Sequence, residues 1–124
     1  MGTKRTFAFA LFLLPGMAAA GSDPLLSTFA ICTGRLSALM EHQWLVSSPE
    51  ADATRARRDG MEALLAAITP PETAPQVLAR RIEAKYAMSR LLTRVTFNRD
   101  RTDAARAARH VEVQIASCNA LLLG

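Results

Sequence analysis

Apolar or small residues recur at Leu25, Phe29, Cys32, Leu36 and Leu39. Spacings of 4, 3, 4 and 3 fall on one side of a helix, whereas a strand would scatter them over both faces. Val46 closes this track after the polar Gln43, and a second strip at Leu26, Ala30, Met40 and Trp44 widens it. Upstream, "GSDP" reads as a helix start: Ser22 or Asp23 can cap the free amides, and Pro24 suits the first turn. These signals predict a helix over 24–47.

Three more segments follow the same logic. "VSSPEAD" is punctuation in which Ser47 with Glu50 fits a capping box and Ser48 before Pro49 an alternative cap. A second helix is expected over 49–68, with Ala53, Ala56, Gly60, Leu64, Ala67 and Ile68 as its stripe and Met61 and Leu65 beside it. Three prolines in "TPPETAP" then remove backbone donors and stop the helix. A third helix over 75–97 would turn Leu78, Ile82, Ala84, Met88, Leu91, Leu92 and Val95 inward. "NRDRTD" supplies a polar turn and a cap at Asp100 or Thr102 for a fourth helix over 102–123. Its stripe is Ala108, Val111, Ile115, Cys118 and Leu122, and Gly124 is a natural stop. No period-2 run competes. Four helices of similar length on short turns predict an all-α, antiparallel up-down-up-down four-helix bundle.

In such a bundle the first and last helices are antiparallel neighbours. Cys32 lies about 12 Å from the start of the first helix and Cys118 about 9 Å from the end of the fourth, at nearly one level. Both sit on core tracks, so the only two cysteines are expected to form a disulfide. Closing so long a loop stabilises by about 4–5 kcal/mol in the chain-entropy model.

The beginning of the chain points to the compartment in which such a bridge forms. Basic Lys4 and Arg5 precede an apolar run from Phe7 to Leu14, a break at Pro15 and Gly16, and small residues at Ala18 and Ala20. That order is a secretory signal, expected over 1–20 and cut after Ala20, leaving one domain over 21–124. Membrane-spanning helices need about 20 apolar residues, so this run is too short for a retained anchor. Gly2 and Thr6 match a myristoylation pattern, but the apolar run behind them fits export better. Cys32 follows the bulky Ile31, unlike a lipid-attachment cysteine. The reading is therefore an exported protein, periplasmic or extracellular, where a disulfide is the expected state.

Composition narrows the chemistry. Half the residues are hydrophobic and 21% are charged, a globular rather than disordered balance. The 15 basic residues less Lys4 and Arg5 stand against 11 acidic ones, so the charge of +4 falls to +2. With few aromatics among the arginines, nucleic acid is not expected as a partner. There is no C-x-x-C, no C-x-x-C-H for haem attachment, no G-x-S-x-G and no Gly-rich phosphate loop. A catalytic role is not expected.

Two binding readings remain. Met40 and His42 near the end of the first helix and His110 early in the fourth fall at similar heights. They are the candidates for non-covalent haem b or a divalent metal in a carrier protein. Their helical phase argues against it, since His110 shares a face with Arg106 and Gln114. The leading reading is a non-catalytic accessory protein: an inhibitor, a chaperone-like factor or an envelope interaction module. Its contact surface would be the end of the bundle that gathers Arg55, Arg58, Arg94, Arg99, Arg101 and Arg106, together with Arg57 and Arg109, next to Trp44. A lone Trp there plugs the core or, if exposed, anchors a partner. That partner would be a protein or an anionic envelope component. The "LLL" at 121–123 leaves a homodimer open, with covering of Leu25 and Leu26 as its other use.

Overall fold

The computed structural model describes Gly2 and residues 23–123. The expected signal segment with its cleavage point, and the stop at Gly124, lie outside the described residues. Four α-helices follow one another: α1 (Pro24–Leu45), α2 (Ala51–Ile68), α3 (Ala74–Thr96) and α4 (Arg101–Leu122). A 3-10 turn at Pro71–Thr73 leads into α3. Among the described residues there is no strand, and the architecture is the expected all-α four-helix bundle. No helix of these residues is long and apolar enough to cross a membrane.

The helix ends follow from local chemistry. Asp23 caps α1 by accepting from the Leu25 amide at 2.9 Å, with Pro24 in the first turn. Asp100 caps α4 by accepting from the Thr102 and Asp103 amides. α2 begins two residues later than the sequence suggested. Glu50 is its N-cap without a side-chain bond, and Ser48 instead accepts from the Glu50 amide within the turn. The turn itself is a Schellman motif. Ser47 donates its amide to the Trp44 carbonyl and Ser48 donates to Gln43, while Ser47 takes the left-handed φ of 54° that this motif requires.

Cys32 and Cys118 are joined in a disulfide across 86 residues, their Cα atoms 5.4 Å apart. The bridge is buried among Leu36, Met61, Met88, Leu92 and Ile115, so it is part of the main core. A smaller cluster of Leu26, Ala30 and Leu65 fills the end where α1 begins, with Phe29 and Val77 against it.

α1 is the central helix, and its most extensive packing is against α3, followed by α2. α4 lies mainly on α3 and touches α1 and α2 only slightly. The disulfide thus ties the least-packed helix to the most-packed one. The parallel pair α1 and α3 comes closest at Gly34. A Cβ there would collide with the Arg81 carbonyl oxygen and lie 3.0 Å from the Lys85 amide nitrogen and 3.1 Å from the Ala84 Cβ. Ala30 and Ala38, one turn either side, are also buried. Small residues at positions four apart make a flat face, and flat faces let backbones approach.

That contact sets the rotation of the neighbours and explains where the apolar stripes depart from expectation. On α3, presenting Arg81, Ala84 and Lys85 to Gly34 swings Leu78 and Ile82 outward, and both are exposed. They line a shallow furrow with Ser37, Met40 and Arg58. On α2 the expected stripe of Ala53, Ala56, Gly60, Leu64, Ala67 and Ile68 is exposed, and the buried side is Ala51, Thr54, Met61 and Leu65. Met and Leu gain more from leaving water than Ala and Gly do, so the larger side chains decide which way the helix turns. On α1 both strips reach the core, with Cys32 and Leu36 of the first and Leu26, Ala30 and Met40 of the second buried, whereas Leu25, Trp44 and Val46 at the helix ends are exposed. The α4 stripe lies as expected, with Ile115 and Cys118 buried and Val111 and Leu122 packed against the core.

Two glycine substitutions test this packing with opposite signs. Gly34→Ala drives a methyl into backbone and is expected to destabilise by about 1–3 kcal/mol despite its better helix propensity. Gly60 meets only the Leu122 Cδ2, at 3.9 Å, so Gly60→Ala is expected to stabilise by about 0.5–1 kcal/mol. Denaturant unfolding of the two variants reads both signs, and a stabilising Gly34→Ala would contradict the close α1–α3 contact.

Candidate functional site

The end of the bundle that holds the α1–α2 and α3–α4 turns is where the sequence gathers its arginines. Two local clamps fix it. His42 Nε2 lies 2.8 Å from Thr96 Oγ1, and its ring meets Phe97 edge-on at 6.2 Å between centroids, so the last turns of α1 and α3 are joined side by side. Asp103 receives both Arg94 Nη2 at 2.6 Å and Arg94 Nε at 3.0 Å, and Asn98 donates to it at 2.7 Å. These bonds close the α3–α4 turn over the first turn of α4.

Held by these clamps and by the Schellman turn, a group of large apolar side chains faces outward. Trp44 is 48% exposed, Leu45 69%, Val46 43% and Phe97 61%. Trp44 therefore does not plug the core. The backbone that carries Trp44, Leu45 and Val46 is fixed by the hydrogen bonds of the Schellman turn.

The arginines divide into two sets. Arg58 contacts Asp59 at 3.1 Å and Glu62 at 2.9 Å, and its Nη2 reaches the Met40 sulfur at 3.8 Å. Glu62 also takes Arg81 at 2.8 Å, so one carboxylate ties α2 to α3. Its desolvation would raise the Glu62 pKa, but the hydrogen bonds from Arg81 and Arg58 outweigh that and hold it below the ordinary range. Arg94 is committed to Asp103, and Arg55 leans 3.9 Å from Asp59. Arg57 donates to Thr54. By contrast Arg99, Arg101 and Arg106 are exposed and form no ion pair among the described residues. Arg101 makes only a hydrogen bond to the Asn98 carbonyl, 3.2 Å away. Arg109 farther along α4 and Arg90 on α3 are likewise exposed without an ion pair among the described residues, while the charge of Arg106 is close enough to Asp103 to lower its pKa.

Met40, His42 and His110 are not brought together. Met40 is buried against Arg58 of α2, His42 is turned to the end of α3, and His110 is exposed on the outer side of α4. Two residues apart on one helix, Met40 and His42 point in nearly opposite directions. Among the described residues, no group of three or more His, Cys, Asp or Glu side chains is placed to hold a metal ion. At the opposite end of the bundle, Leu122 packs on the core while Leu25, Leu121 and Leu123 remain exposed.

One feature was not legible as a site. α2 and α4 diverge over α1 and leave a groove of about 590 Å³. Leu39, Val111 and Ile115 give it an apolar base, and Gln43, Arg57 and Asn119 line it alongside Glu50 and Glu112. The sequence signal was Gln43, the polar interruption in an otherwise apolar track.

No family model, curated protein or solved structure matches this chain.

The Arg94–Asp103 clamp has a pH signature. The hydrogen bond from Arg94 is the main cause that holds the Asp103 carboxyl below its usual range, and the same bond raises the Arg94 guanidinium. A carboxylate depressed in the folded state adds stability above its unfolded pKa, about 4, and loses it as the pH falls through the folded value. Acid unfolding of Asp103→Asn is therefore expected to be less steep below about pH 4 than that of the parent chain. Superimposable acid profiles would show that the clamp contributes nothing.

Proposed function

We propose that this chain is a small exported, non-catalytic binding protein, an accessory or interaction module, and that it meets its partner with the end bearing the two turns. The observation that carries this reading is the exposure, at one end of the bundle, of Trp44, Leu45 and Val46 on the α1–α2 turn and of Phe97 on the α3–α4 turn, where Arg99, Arg101 and Arg106 follow without an ion pair among the described residues. Exposed aromatic and aliphatic side chains cost solubility and gain nothing for the fold. Trp and Arg are the residues that concentrate binding energy at interfaces. A preorganised turn loses little conformational entropy when it is covered. The guanidinium groups of Arg99, Arg101 and Arg106, none in an ion pair within 4 Å among the described residues, favour a partner with carboxylates or phosphates around an apolar depression, such as an acidic protein surface or an anionic envelope component.

Export is supported by the signal-like order of residues 1–20 and by a buried disulfide, which forms and persists in oxidising compartments. The bridge closes 86 residues of chain separation and holds α4, whose packing on α1 is slight. Its role here is mechanical, because both sulfurs are buried away from any reductant or substrate.

The test is chemical crosslinking in the envelope fraction of a producing cell, comparing the parent chain with a Trp44→Ala/Arg99→Glu/Arg101→Glu variant. All three positions are exposed, so the thermal midpoint is expected to stay close to that of the parent. Removing an anchor of this kind typically weakens binding by about thirtyfold or more, so the crosslinked species should disappear. A species recovered equally from the variant would overturn the proposed contact surface.

A further inference from the structure

The groove between α2 and α4 runs along the side of the bundle from the α1–α2 turn, where Gln43 and Glu50 line it, and its polar groups are incomplete. Gln43 is 93% shielded from solvent by its 7% exposure, and its Oε1 atom has no hydrogen-bond partner. Its amide nitrogen has only a long contact, 3.5 Å, to Glu50 Oε2. Arg57 Nε and Asn119 Oδ1 are likewise buried and unpaired. Three of the four buried side-chain atoms without a partner among the described residues therefore belong to residues of this one groove. A buried unpaired donor or acceptor is costly, and native chains keep few of them. A donor and two acceptors without partners on residues that line one groove are unusual in a native chain and point to a polar ligand there.

The residue types define what would fit. Arg57 is a donor suited to a carboxylate. Gln43 Oε1, Asn119 Oδ1 and the carboxylates of Glu50 and Glu112 are acceptors suited to an ammonium or an amide N–H. Both amides swing on soft terminal torsions, so a ligand can collect them. Leu39, Val111 and Ile115 offer an apolar base for a side chain. The volume, about 590 Å³, lies within the ordinary range for small-molecule sites. We propose that this groove binds a zwitterionic ligand of the amino-acid or short-peptide class, with its carboxylate toward Arg57, its ammonium toward the acidic and amide side chains, and an apolar side chain over Leu39, Val111 and Ile115. The proposal does not depend on the contact surface at the end of the bundle.

The experiment is an NMR titration of the oxidised, isotope-labelled chain with L-leucyl-L-leucine, up to about 10 mM so that even a millimolar constant is reached. The side-chain amides of Gln43 and Asn119 and the Arg57 Nε–H are expected to shift. Masking either charge, as in the N-acetyl or the C-terminal amide form of the dipeptide, should weaken binding by about tenfold or more. Gln43→Leu should abolish the response at Arg57 and Asn119 while the thermal midpoint holds or rises, because an orphaned polar group is replaced by an apolar one of similar size. Glu112→Gln, at an exposed position, keeps the test decisive if Gln43→Leu does not fold, and it should weaken the dipeptide without shifting the midpoint. The Trp44→Ala/Arg99→Glu/Arg101→Glu variant should bind the dipeptide as the parent does. No shifts with the dipeptide would mean that the groove holds water only. Equal shifts with the capped forms, or a lowered midpoint for Gln43→Leu, would also overturn the proposal.

Discussion

The close approach of α1 and α3 at Gly34 is the contact on which the other packing depends. Without a side chain there, the α3 backbone at Arg81 and Lys85 comes against α1 directly, and the two parallel helices form the spine of the bundle. α2 then covers the opposite side of α1 with Met61 and Leu65, and α4 settles chiefly on α3. A bundle built around a tight parallel pair cannot give all four helices equal contact. α4 is left short of partners on α1, and the disulfide from Cys32 to Cys118 supplies covalently what packing does not. The same inequality opens the groove between α2 and α4.

The functional surfaces follow from that frame. A rigid spine ends in two turns at one end, and each is fixed by its own hydrogen bonds: the Schellman turn after α1, and the Arg94–Asp103–Asn98 clamp after α3. Among the described residues no element reaches over Trp44, Leu45 and Val46 on one turn or Phe97 on the other, and they stay exposed. Arginines nearer the body, Arg58 and Arg94, are absorbed into ion pairs that hold the helices together, whereas Arg99, Arg101 and Arg106 form no ion pair among the described residues.

Much of the fold was legible in the sequence, because helix ends are set by local chemistry. Asp23 before Pro24, the proline-rich stretch and the Asp100 cap place the boundaries within a residue or two, and the level of the two cysteines follows from helical rise alone. Rotation about each helix axis was harder to read. On α2 two candidate stripes lie side by side, and only the competition between Met61 and Leu65 and the smaller Ala53, Ala56 and Gly60 chooses between them. On α3 the outward turn of Leu78 and Ile82 depends on Gly34, a contact with another helix that no local pattern encodes. The site was legible to the same depth. The arginine-bearing end follows from topology, and Trp44 beside it was foreseen as an anchor if exposed. Which arginines are free depends on pairs such as Arg58–Glu62 and Arg94–Asp103, and the groove depends on how far α2 and α4 diverge. Gln43, polar within an apolar track, was its one trace.

The central claim is that the end bearing Trp44 is a free, preorganised surface, and the chain contains its own reporter, since Trp44 is the only tryptophan. Collisional quenching of its fluorescence by acrylamide, on the oxidised protein in dilute solution, measures that exposure directly. Efficient quenching with a water-like emission maximum is the predicted result. A blue-shifted emission that resists the quencher would contradict the account, because Trp44 would then already be covered and unable to serve as an anchor.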